Sequence, residues 1–351
     1  MKNILFYISH PAHYLLFKNS IVYLKDKHNV NIVIKSKDVL EDLLIQDEQE
    51  FMNILPEGRG NTRGAMLFGL IKRDFRLFRI CIKIRPDILC GTGPEIGHVG
   101  SLLNIKSYNF REDDINIYSW VFKLLNYPWH TKIVSPDVCN NGKWMFKTIS
   151  YSGYHELAYL HPDVFIPNRV RLEEYNLTEG NYVLIRFAKL TAHHDSGIGG
   201  ISDSLALEII DKIKNEFQVI ISSERELPNE LECYRLKINP LHIHDIMYYA
   251  RGYIGDSQTM AAEAGVLGTR FIRYNDFVGK LGYLADLEDR FDLGIGILTK
   301  HRDKLLKAVD ELLEADKCDQ SMIIKRERML SEKINTSIFI SELIESVLKD
   351  D

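Results

Sequence analysis

This sequence has few cysteines, no long apolar run and no excess of positive charge. The five cysteines among 351 residues are scattered and form no Cys-x-x-Cys pair, which predicts reduced thiols and a cytoplasmic setting. No apolar run is long enough to cross a bilayer, and the N-terminal run at 4–8 is too short for a signal peptide. The formal net charge of −5 argues against a general nucleic-acid binder.

What remains is the composition of an ordinary globular protein, with 45% apolar and 26% charged residues and enough length for two cores. Short buried strands, such as 4–8 and 182–187, alternate with amphipathic helices. This alternation predicts an α/β protein with two doubly wound domains. Pro162, Pro167 and the polar run 169–181 predict the crossing between them. The expected parts are an N-terminal domain at 1–165, a linker at 166–180, a second domain at 181–330 and a final helix at 331–351.

The stretch 253–268 organises the second half of the chain. Its pattern predicts a buried strand, a tight turn and then a helix, for which Ser257 is a good N-cap. A helix N-terminus offers unpaired N–H groups and a positive dipole end, so it can bind phosphate, and Ser257 and Thr259 add hydroxyl groups there. Glu263, two turns further on, could accept hydrogen bonds from ribose hydroxyls. The alternative is an ordinary capped turn whose glutamate is merely exposed.

This stretch resembles the signature of the GT-B glycosyltransferases and of their relative, the non-hydrolysing UDP-N-acetylglucosamine 2-epimerase. The resemblance implies that Ser257 holds the diphosphate and that Glu263 holds the uridine ribose. Gln258 and Thr259 replace two glycines of the epimerase, so the backbone is less free to approach the phosphates. The predicted nucleotide-sugar site comprises Arg186, His193, Gly199, Gly200, His242, Gly255, Asp256, Ser257, Gln258, Thr259 and Glu263.

Other segments extend the resemblance over most of the chain. Residues 240–250 resemble the helix before the signature strand, and 190–195 resemble a loop that places His193 near the diphosphate. The His-Pro-Ala-His opening at 10–13 and the Gly-Tyr-His-Glu-Leu segment at 153–157 are also found in a group of uncharacterised prokaryotic proteins placed beside these enzymes. The resemblance implies a GT-B-like fold, with two Rossmann-type domains facing a central cleft and the last helix crossing back to the first domain.

The loop after the first strand contains two histidines, His10 and His13. In open α/β sheets ligands bind at the carboxyl ends of the strands, which is where this loop lies. The resemblance implies a catalytic histidine here that takes a proton from an acceptor hydroxyl, and His13 matches that place better than His10. An imidazole, with an unperturbed pKa of about 6.5, suits this role. The alternative is that both histidines cap or brace the turn.

Carboxylates after later strands are the other catalytic candidates: Glu95, Glu112 and Asp113 could grip or activate the sugar or the acceptor. Thr92 stands where the epimerase has its catalytic aspartate, and Glu112 could be a displaced counterpart of an epimerase glutamate. Their alternative roles are loop solvation and helix capping. Nearby, His155 and Glu156 (of 153–157) could line the predicted cleft, although hinge packing is the favoured interpretation.

A metal site is not expected. Ligand-type side chains occur in two loops, but no pair has the helical His-x-x-x-His spacing. They are His193, His194, Asp195, His242, His244 and Asp245.

Residues 59–85 carry eight basic residues against Asp74 alone, interleaved with apolar ones. A basic amphipathic helix can contact an anionic membrane face or accept a phosphorylated or lipid-linked acceptor. The favoured interpretation is a helix packed on the sheet with a solvated basic face.

The leading expectation is a metal-independent, inverting glycosyltransferase that needs no cofactor. It would transfer sugar from a nucleotide sugar, expected to be a UDP-sugar, to a glycan or lipid-linked acceptor in cell-surface polysaccharide synthesis. It would work in the cytoplasm, at the inner face of the membrane if 59–85 make contact there, as a monomer or an oligomer. The alternatives are a UDP-sugar 2-epimerase or hydrolase, and a non-catalytic nucleotide-sugar-binding protein.

Overall fold

The structure is a computed structural model that describes residues 1–35, 39–55, 63–188, 199–315 and 320–349, without the side chains of 63–67. The chain divides into two compact units. Unit 1 comprises Met1–Tyr159 together with Ile334–Asp351, and unit 2 comprises Leu160–Lys333. His193, His194 and Asp195 lie outside the described residues, as do 59–62 at the start of the basic segment.

Unit 1 is built on a parallel sheet that, within the described ranges, has seven strands in the order β3-β2-β1-β4-β5-β6-β7. The strands are β1 (Asn3–Ile8), β2 (Asn29–Ile34), β3 (Met52–Asn53), β4 (Ile88–Gly91), β5 (Lys106–Phe110), β6 (Lys132–Pro136) and β7 (Thr148–Tyr151). The helices up to residue 160 are α1 (Pro11–Lys25), α2 (Leu40–Gln46), α3 (Arg63–Ile84), α4 (Pro94–Leu103), α5 (Trp120–Asn126) and α6 (Leu157–Leu160). Short 3-10 helices occupy Ile115–Ile117, Tyr127–Trp129 and Gly142–Lys147.

The central strands of unit 1 are buried on both faces. Residues 4–8 of β1 are all 0% exposed, which explains why this strand is a continuous apolar run rather than an alternating one. On one face, Leu5 and Tyr7 pack with Leu77 of α3 and Ile96 of α4. The carboxyl ends of β1 and β4 are therefore neighbours, and the loops that follow them lie side by side.

Unit 2 contains a second parallel sheet, with the order β12-β11-β10-β8-β9 among the described residues. Its strands are β8 (Tyr182–Phe187), β9 (Gln218–Ser223), β10 (Gly252–Gly255), β11 (Phe271–Tyr274) and β12 (Gly294–Ile297). Its helices are α7 (Arg171–Glu174), α8 (Asp203–Ile213), α9 (Asn229–Glu232), α10 (Ile243–Tyr248), α11 (Gln258–Leu267), α12 (Gly282–Ala285), α13 (Arg302–Glu314) and α14 (Gln320–Glu332). A 3-10 turn spans Pro240–His242 and a π-helical turn spans Asp286–Arg290.

The apolar periodicity of 321–348 predicts one continuous helix that would include the start of the final helix expected at 331–351, and the structure differs from this. The structure contains two helices, α14 and α15 (Thr336–Lys349). The break falls at Asn335, whose side-chain oxygen accepts the N–H of Ser337 at 3.0 Å and so caps a new helix. Helix α15 packs on α1, where the Ser20 hydroxyl donates to the Ser337 carbonyl at 2.9 Å. The final helix thus belongs to unit 1, as the resemblance implies.

Candidate functional site

The first residues of α11 are partly exposed. Ser257 is its N-cap, as predicted, and its hydroxyl oxygen accepts the N–H of Met260 at 3.4 Å. Gln258 and Thr259 follow in the first turn, and both are partly exposed. The first turn contains no acidic residue, so no carboxylate within that turn opposes an anion there. Helix α11 follows β10, the middle strand of its sheet.

Glu263 is buried, with 4% of its surface exposed. One carboxylate oxygen, Oε1, lies 3.1 Å from Nε2 of His244 on α10. The alternative of a merely exposed glutamate is therefore wrong, because a solvated side chain would not be enclosed beside a histidine. The contact fixes the direction of the carboxylate, as a group that accepts hydrogen bonds from a ligand requires.

Asp256 forms hydrogen bonds to three chain segments beside this helix. Its Oδ1 accepts the Ala188 N–H at 2.7 Å and its Oδ2 accepts the Ile201 N–H at 3.3 Å. The Asn275 side chain donates to the Asp256 carbonyl oxygen at 2.9 Å. Burial raises the pKa of Asp256 to about 6, against the opposing effect of the two amides. Asp256 thus holds the ends of the β8–α8 connection, and both its side-chain oxygens are used for this.

The glycines before α8 are organised by an acidic side chain that the sequence did not single out. The Gly199 N–H donates to Oδ2 of Asp276 at 2.9 Å, and the Thr299 hydroxyl donates to Oδ1 at 2.5 Å. A Cβ at position 199 would lie 3.1 Å from both side chains, so a larger residue would require these neighbours to shift by a few tenths of an ångström. Gly200 is partly exposed beside it.

Three further residues of the predicted nucleotide-sugar site have structural partners. Arg186 of β8 donates to the Ser222 hydroxyl at 2.6 Å and pairs with Glu224. Nδ1 of His242 lies 2.9 Å from the Tyr175 hydroxyl. Gly255 is buried at the end of β10, where a Cβ would lie 2.9 Å from the Arg186 carbonyl oxygen and still closer to the Tyr253 hydroxyl.

In unit 1, His10 and His13 take different places at the start of α1. His10 is the N-cap, and its Nδ1 accepts the Ala12 N–H at 3.2 Å. Nδ1 of His13 lies 2.7 Å from the Thr92 hydroxyl and 3.2 Å from the Ser9 hydroxyl. The capping interpretation therefore describes His10, whereas His13 is oriented by two hydroxyl groups at the carboxyl ends of β1 and β4.

Glu95 is placed in a buried ion pair beneath the same loops. It is 1% exposed, and its Oε1 lies 2.5 Å from Nε of Arg73 on α3. Burial acts to raise the pKa of Glu95, but the charges of Lys35 and Arg73 outweigh it and hold the pKa below its usual value. This geometry favours bracing of the α3–α4 pair over contact with a sugar.

Glu112 and Asp113 follow β5 and differ in environment. Glu112 Oε1 accepts the His155 N–H at 2.6 Å, and its Oε2 lies 3.6 Å from His155 Nδ1. Asp113 accepts a hydrogen bond from the Tyr118 hydroxyl. Burial, and then the neighbouring Glu156 carboxylate, raise the pKa of Glu112 well above its usual range. Glu112 and Glu156 therefore form a pair of buried carboxyl groups in which the raised pKa of Glu112 favours its protonated form.

The pKa of His155 is shifted in the direction opposite to that of Glu112. Burial and the nearby Arg111 guanidinium lower the pKa of His155 to about 3. Between pH 4.5 and 6.5, the ordinary pKa values of the two groups, folding thus removes a proton from His155 and adds one to the Glu112–Glu156 pair. The two transfers oppose one another, so together they contribute little to the pH dependence of stability in this window.

Removing either group by mutation should reveal opposite pH dependences of the folding stability. In Glu112→Gln the lowered pKa of His155 acts alone, and stability should fall as the pH decreases below 6.5. In His155→Leu the raised pKa of Glu112 acts alone, and stability should fall as the pH increases above 4.5. Each difference from wild type should reach up to about 1.4 kcal/mol per pH unit. Urea unfolding followed by tryptophan fluorescence checks this, since Trp120, Trp129 and Trp144 all lie in unit 1; slopes of the same sign would contradict it.

Comparison with known proteins identifies the fold. No family model and no curated protein sequence matches the chain. Among solved structures, the UDP-GlcNAc 2-epimerase of Methanocaldococcus jannaschii in complex with UDP-GlcNAc and UDP is 14% identical, with a TM-score of 0.70 over 99% of this chain and 100% of that one. The chain has the GT-B fold. The UDP-GlcNAc 2-epimerase of Neisseria meningitidis bound to UDP-GlcNAc is 11% identical (TM-score 0.69, 99% and 100% covered), and the spinosyn forosaminyltransferase SpnP is 12% identical (0.63, 99% and 99%).

Several polar contacts within the GT-B fold were not predicted from the sequence. The His13–Thr92, Glu263–His244 and Gly199–Asp276 contacts each join residues distant in sequence. Thr92 stands at the epimerase's aspartate position, but nothing in the sequence pairs it with His13, and the sequence signal for Asp276 is that its polar side chain lies just past the end of a strand. Among the described residues, no group of three or more His, Cys, Asp or Glu side chains is placed to hold a metal ion.

Proposed function

We propose that this protein binds a UDP-sugar in unit 2 and transfers the sugar to a hydroxyl group of a glycan or lipid-linked acceptor in polysaccharide synthesis. The observation that carries the proposal is the partly exposed N-terminus of α11, without acidic residues in its first turn, together with the buried carboxylate of Glu263 two turns further along. The proposal is also supported by structures of two proteins with the same fold that contain bound UDP-GlcNAc.

In the proposed complex the diphosphate lies at the N-terminus of α11. The backbone N–H groups of the first turn and the hydroxyls of Ser257 and Thr259 donate to phosphate oxygens. The same groups then stabilise the negative charge that develops on the leaving nucleoside diphosphate. Glu263, oriented by His244, accepts hydrogen bonds from the ribose hydroxyls.

His13 is the proposed general base. With its Nδ1 held by the Thr92 hydroxyl, Nε2 can take the proton from the acceptor hydroxyl as the hydroxyl oxygen attacks the anomeric carbon. The bond to the nucleoside diphosphate breaks as the new glycosidic bond forms. This mechanism requires neither a metal ion nor a cofactor.

The Glu112–Glu156 pair favours a second candidate, a UDP-sugar 2-epimerase or hydrolase. Epimerisation by elimination needs placed carboxyl groups to move protons, and the raised pKa of Glu112 favours the protonated form that a general acid requires. Incubation with a UDP-sugar alone separates the candidates. An epimer or free sugar without acceptor would support the second candidate, whereas binding without turnover would indicate a non-catalytic nucleotide-sugar-binding protein.

The nucleotide site is tested by thermal shift. UDP at a hundred times its dissociation constant should stabilise unit 2 by about 2.7 kcal/mol, whereas Glu263→Gln should abolish the shift in melting temperature. Glutamine can still accept a hydrogen bond from His244 but lacks the charge. The matched control is Glu288→Gln, which changes another glutamate of unit 2, one whose side chain is 7% exposed and paired with Arg273, and should retain the UDP shift. An undiminished shift in Glu263→Gln would contradict the ribose role.

A further inference from the structure

Exposed aromatic side chains are concentrated on a few elements of unit 1. Phe68 and Phe75 of α3 are 70% and 60% exposed, and Trp120 at the start of α5 is 74% exposed. Burying these side chains in an apolar environment would be favourable, and exposed apolar surface of this size usually marks an interaction site. Their exposed apolar neighbours are Ile71, Ile82, Val121, Leu124 and Trp129.

These side chains belong to α3 and α5, two helices that both contact α4. His98 of α4 joins α3 to the end of α5, since its Nδ1 lies 2.9 Å from an Asp74 carboxylate oxygen and its Nε2 lies 2.7 Å from the Leu125 carbonyl oxygen. The residues next to these two contacts, Phe75 and Leu124, are both exposed. Trp129 packs edge-on against His98, with ring centroids 5.3 Å apart. The exposed side chains of α3 and α5 therefore flank one shared contact.

A third element with exposed apolar side chains packs against the turn that contains Trp129. In the 3-10 helix Gly142–Lys147, the Trp144 ring stacks on Tyr127, with centroids 6.3 Å apart, and Tyr127 lies in the turn that contains Trp129. Phe146 is 78% exposed and Met145 is 46% exposed beside it. We call the exposed apolar side chains of α3, α5, the 127–129 turn and the 142–147 turn the aromatic face.

The charges around the aromatic face are of one sign. Arg79 and Lys83 on α3 and Lys143 beside Trp144 are exposed cations. No aspartate or glutamate occurs in 115–136 or 138–155, and the carboxylate of Asp74, the only acidic residue of 63–85, faces His98. On α3, Phe68, Ile71, Phe75 and Ile82 recur at helical spacing along one side, with Arg79 and Lys83 adjoining them.

We propose that the aromatic face binds the surface of an anionic lipid membrane. Tryptophan and phenylalanine side chains would enter the interfacial region, and the lysine and arginine cations would meet the headgroups. Among the described residues no helix is long and apolar enough to cross a bilayer, so the contact proposed is with the surface. Pairing with a second copy of the chain is disfavoured because the cations of two identical faces would repel one another. The proposal does not depend on the proposed function, since it uses neither His13 nor the α11 site.

The test is co-sedimentation of the full chain with vesicles. Wild type should bind vesicles of equal parts phosphatidylcholine and phosphatidylglycerol, bind phosphatidylcholine alone far less, and dissociate as salt is raised. The triple variant Phe68→Ser, Phe75→Ser, Trp120→Ser should bind the mixed vesicles at least ~10-fold more weakly. The matched control is Ile323→Ser with Ile324→Ser, which removes two exposed apolar side chains of α14 in unit 2 and should bind as wild type does.

The outcomes are distinct from those of the nucleotide experiment. The triple variant should keep the wild-type melting temperature and UDP shift, because it changes exposed side chains outside the α11 site. Equal binding of both vesicle types, or unchanged binding by the triple variant, would overturn the proposal. So would a wild-type dimer that the triple variant dissociates, because the aromatic face would then pair two copies of the chain. If UDP has no effect but the vesicle results hold, only the proposed function fails.

Discussion

Replacing His13 with asparagine should lower the turnover of the UDP-sugar by about 100- to 10,000-fold, the usual contribution of a general base. The UDP thermal shift should remain, because the proposed nucleotide site lies in unit 2. The acid limb of the pH profile of kcat/KM should also disappear, since it would report the protonation of this imidazole. Turnover and its pH profile, measured with the same acceptor for wild type and variant, check the prediction.

Thr92→Val and His28→Asn complete this experiment. Valine removes the hydroxyl 2.7 Å from His13 Nδ1 without removing the imidazole, so Thr92→Val should lower kcat by a smaller factor and keep the acid limb. His28 is a histidine of unit 1 beside Glu345 at the far end of α1, and His28→Asn should leave turnover unchanged. Full activity in His13→Asn would refute its role as base.

Replacing Arg73 with methionine should destabilise unit 1 by about 3–5 kcal/mol, the usual cost of breaking a buried ion pair. Arg73 and Glu95 are 6% and 1% exposed, so the variant would leave a carboxylate buried without its closest cation. Lys35, which also lowers the pKa of Glu95, would compensate for part of the loss. Urea unfolding followed by tryptophan fluorescence measures the change in unit 1.

Two further variants distinguish a lost ion pair from lost packing. The double variant Arg73→Met with Glu95→Gln should recover part of the stability, because it removes the uncompensated charge. Arg79→Met makes the same substitution at an exposed position of α3 and should change stability by no more than about 0.5 kcal/mol. A double variant as unstable as Arg73→Met would assign the loss to packing.

Local sequence patterns predicted the elements that depend on neighbouring residues. The strand–turn–helix at 253–268 occurs as β10 and α11, with Ser257 as the N-cap and Gly268 in the left-handed conformation (φ 83°) that a glycine C-cap favours. The continuous apolar runs predicted buried parallel strands, and the two parallel sheets confirm the α/β fold. These features follow from propensity, capping and burial within short windows.

The roles of single polar residues depend on contacts that no short window contains. Glu95 appeared as one carboxylate among three, and its burial follows from Arg73, which reaches it from another helix. Glu263 appeared either as an exposed residue or as a ligand contact, and only the packing of α10 encloses it beside His244. The break before α15 was missed because Asn335 caps the new helix inside an otherwise periodic apolar pattern. In each case the tertiary partner decides the protonation, exposure or backbone geometry.

The return of α15 to unit 1 has a consequence for folding during synthesis. The Ser20–Ser337 contact spans 317 residues, so the surface of α1 stays uncovered until the ribosome has made the whole of unit 2. Unit 2 is continuous in sequence and can complete its own packing while unit 1 still awaits α15. Synthesis of unit 1 thus begins first, but its folding is completed last. We therefore expect unit 1, rather than unit 2, to rely on chaperones while the nascent chain grows.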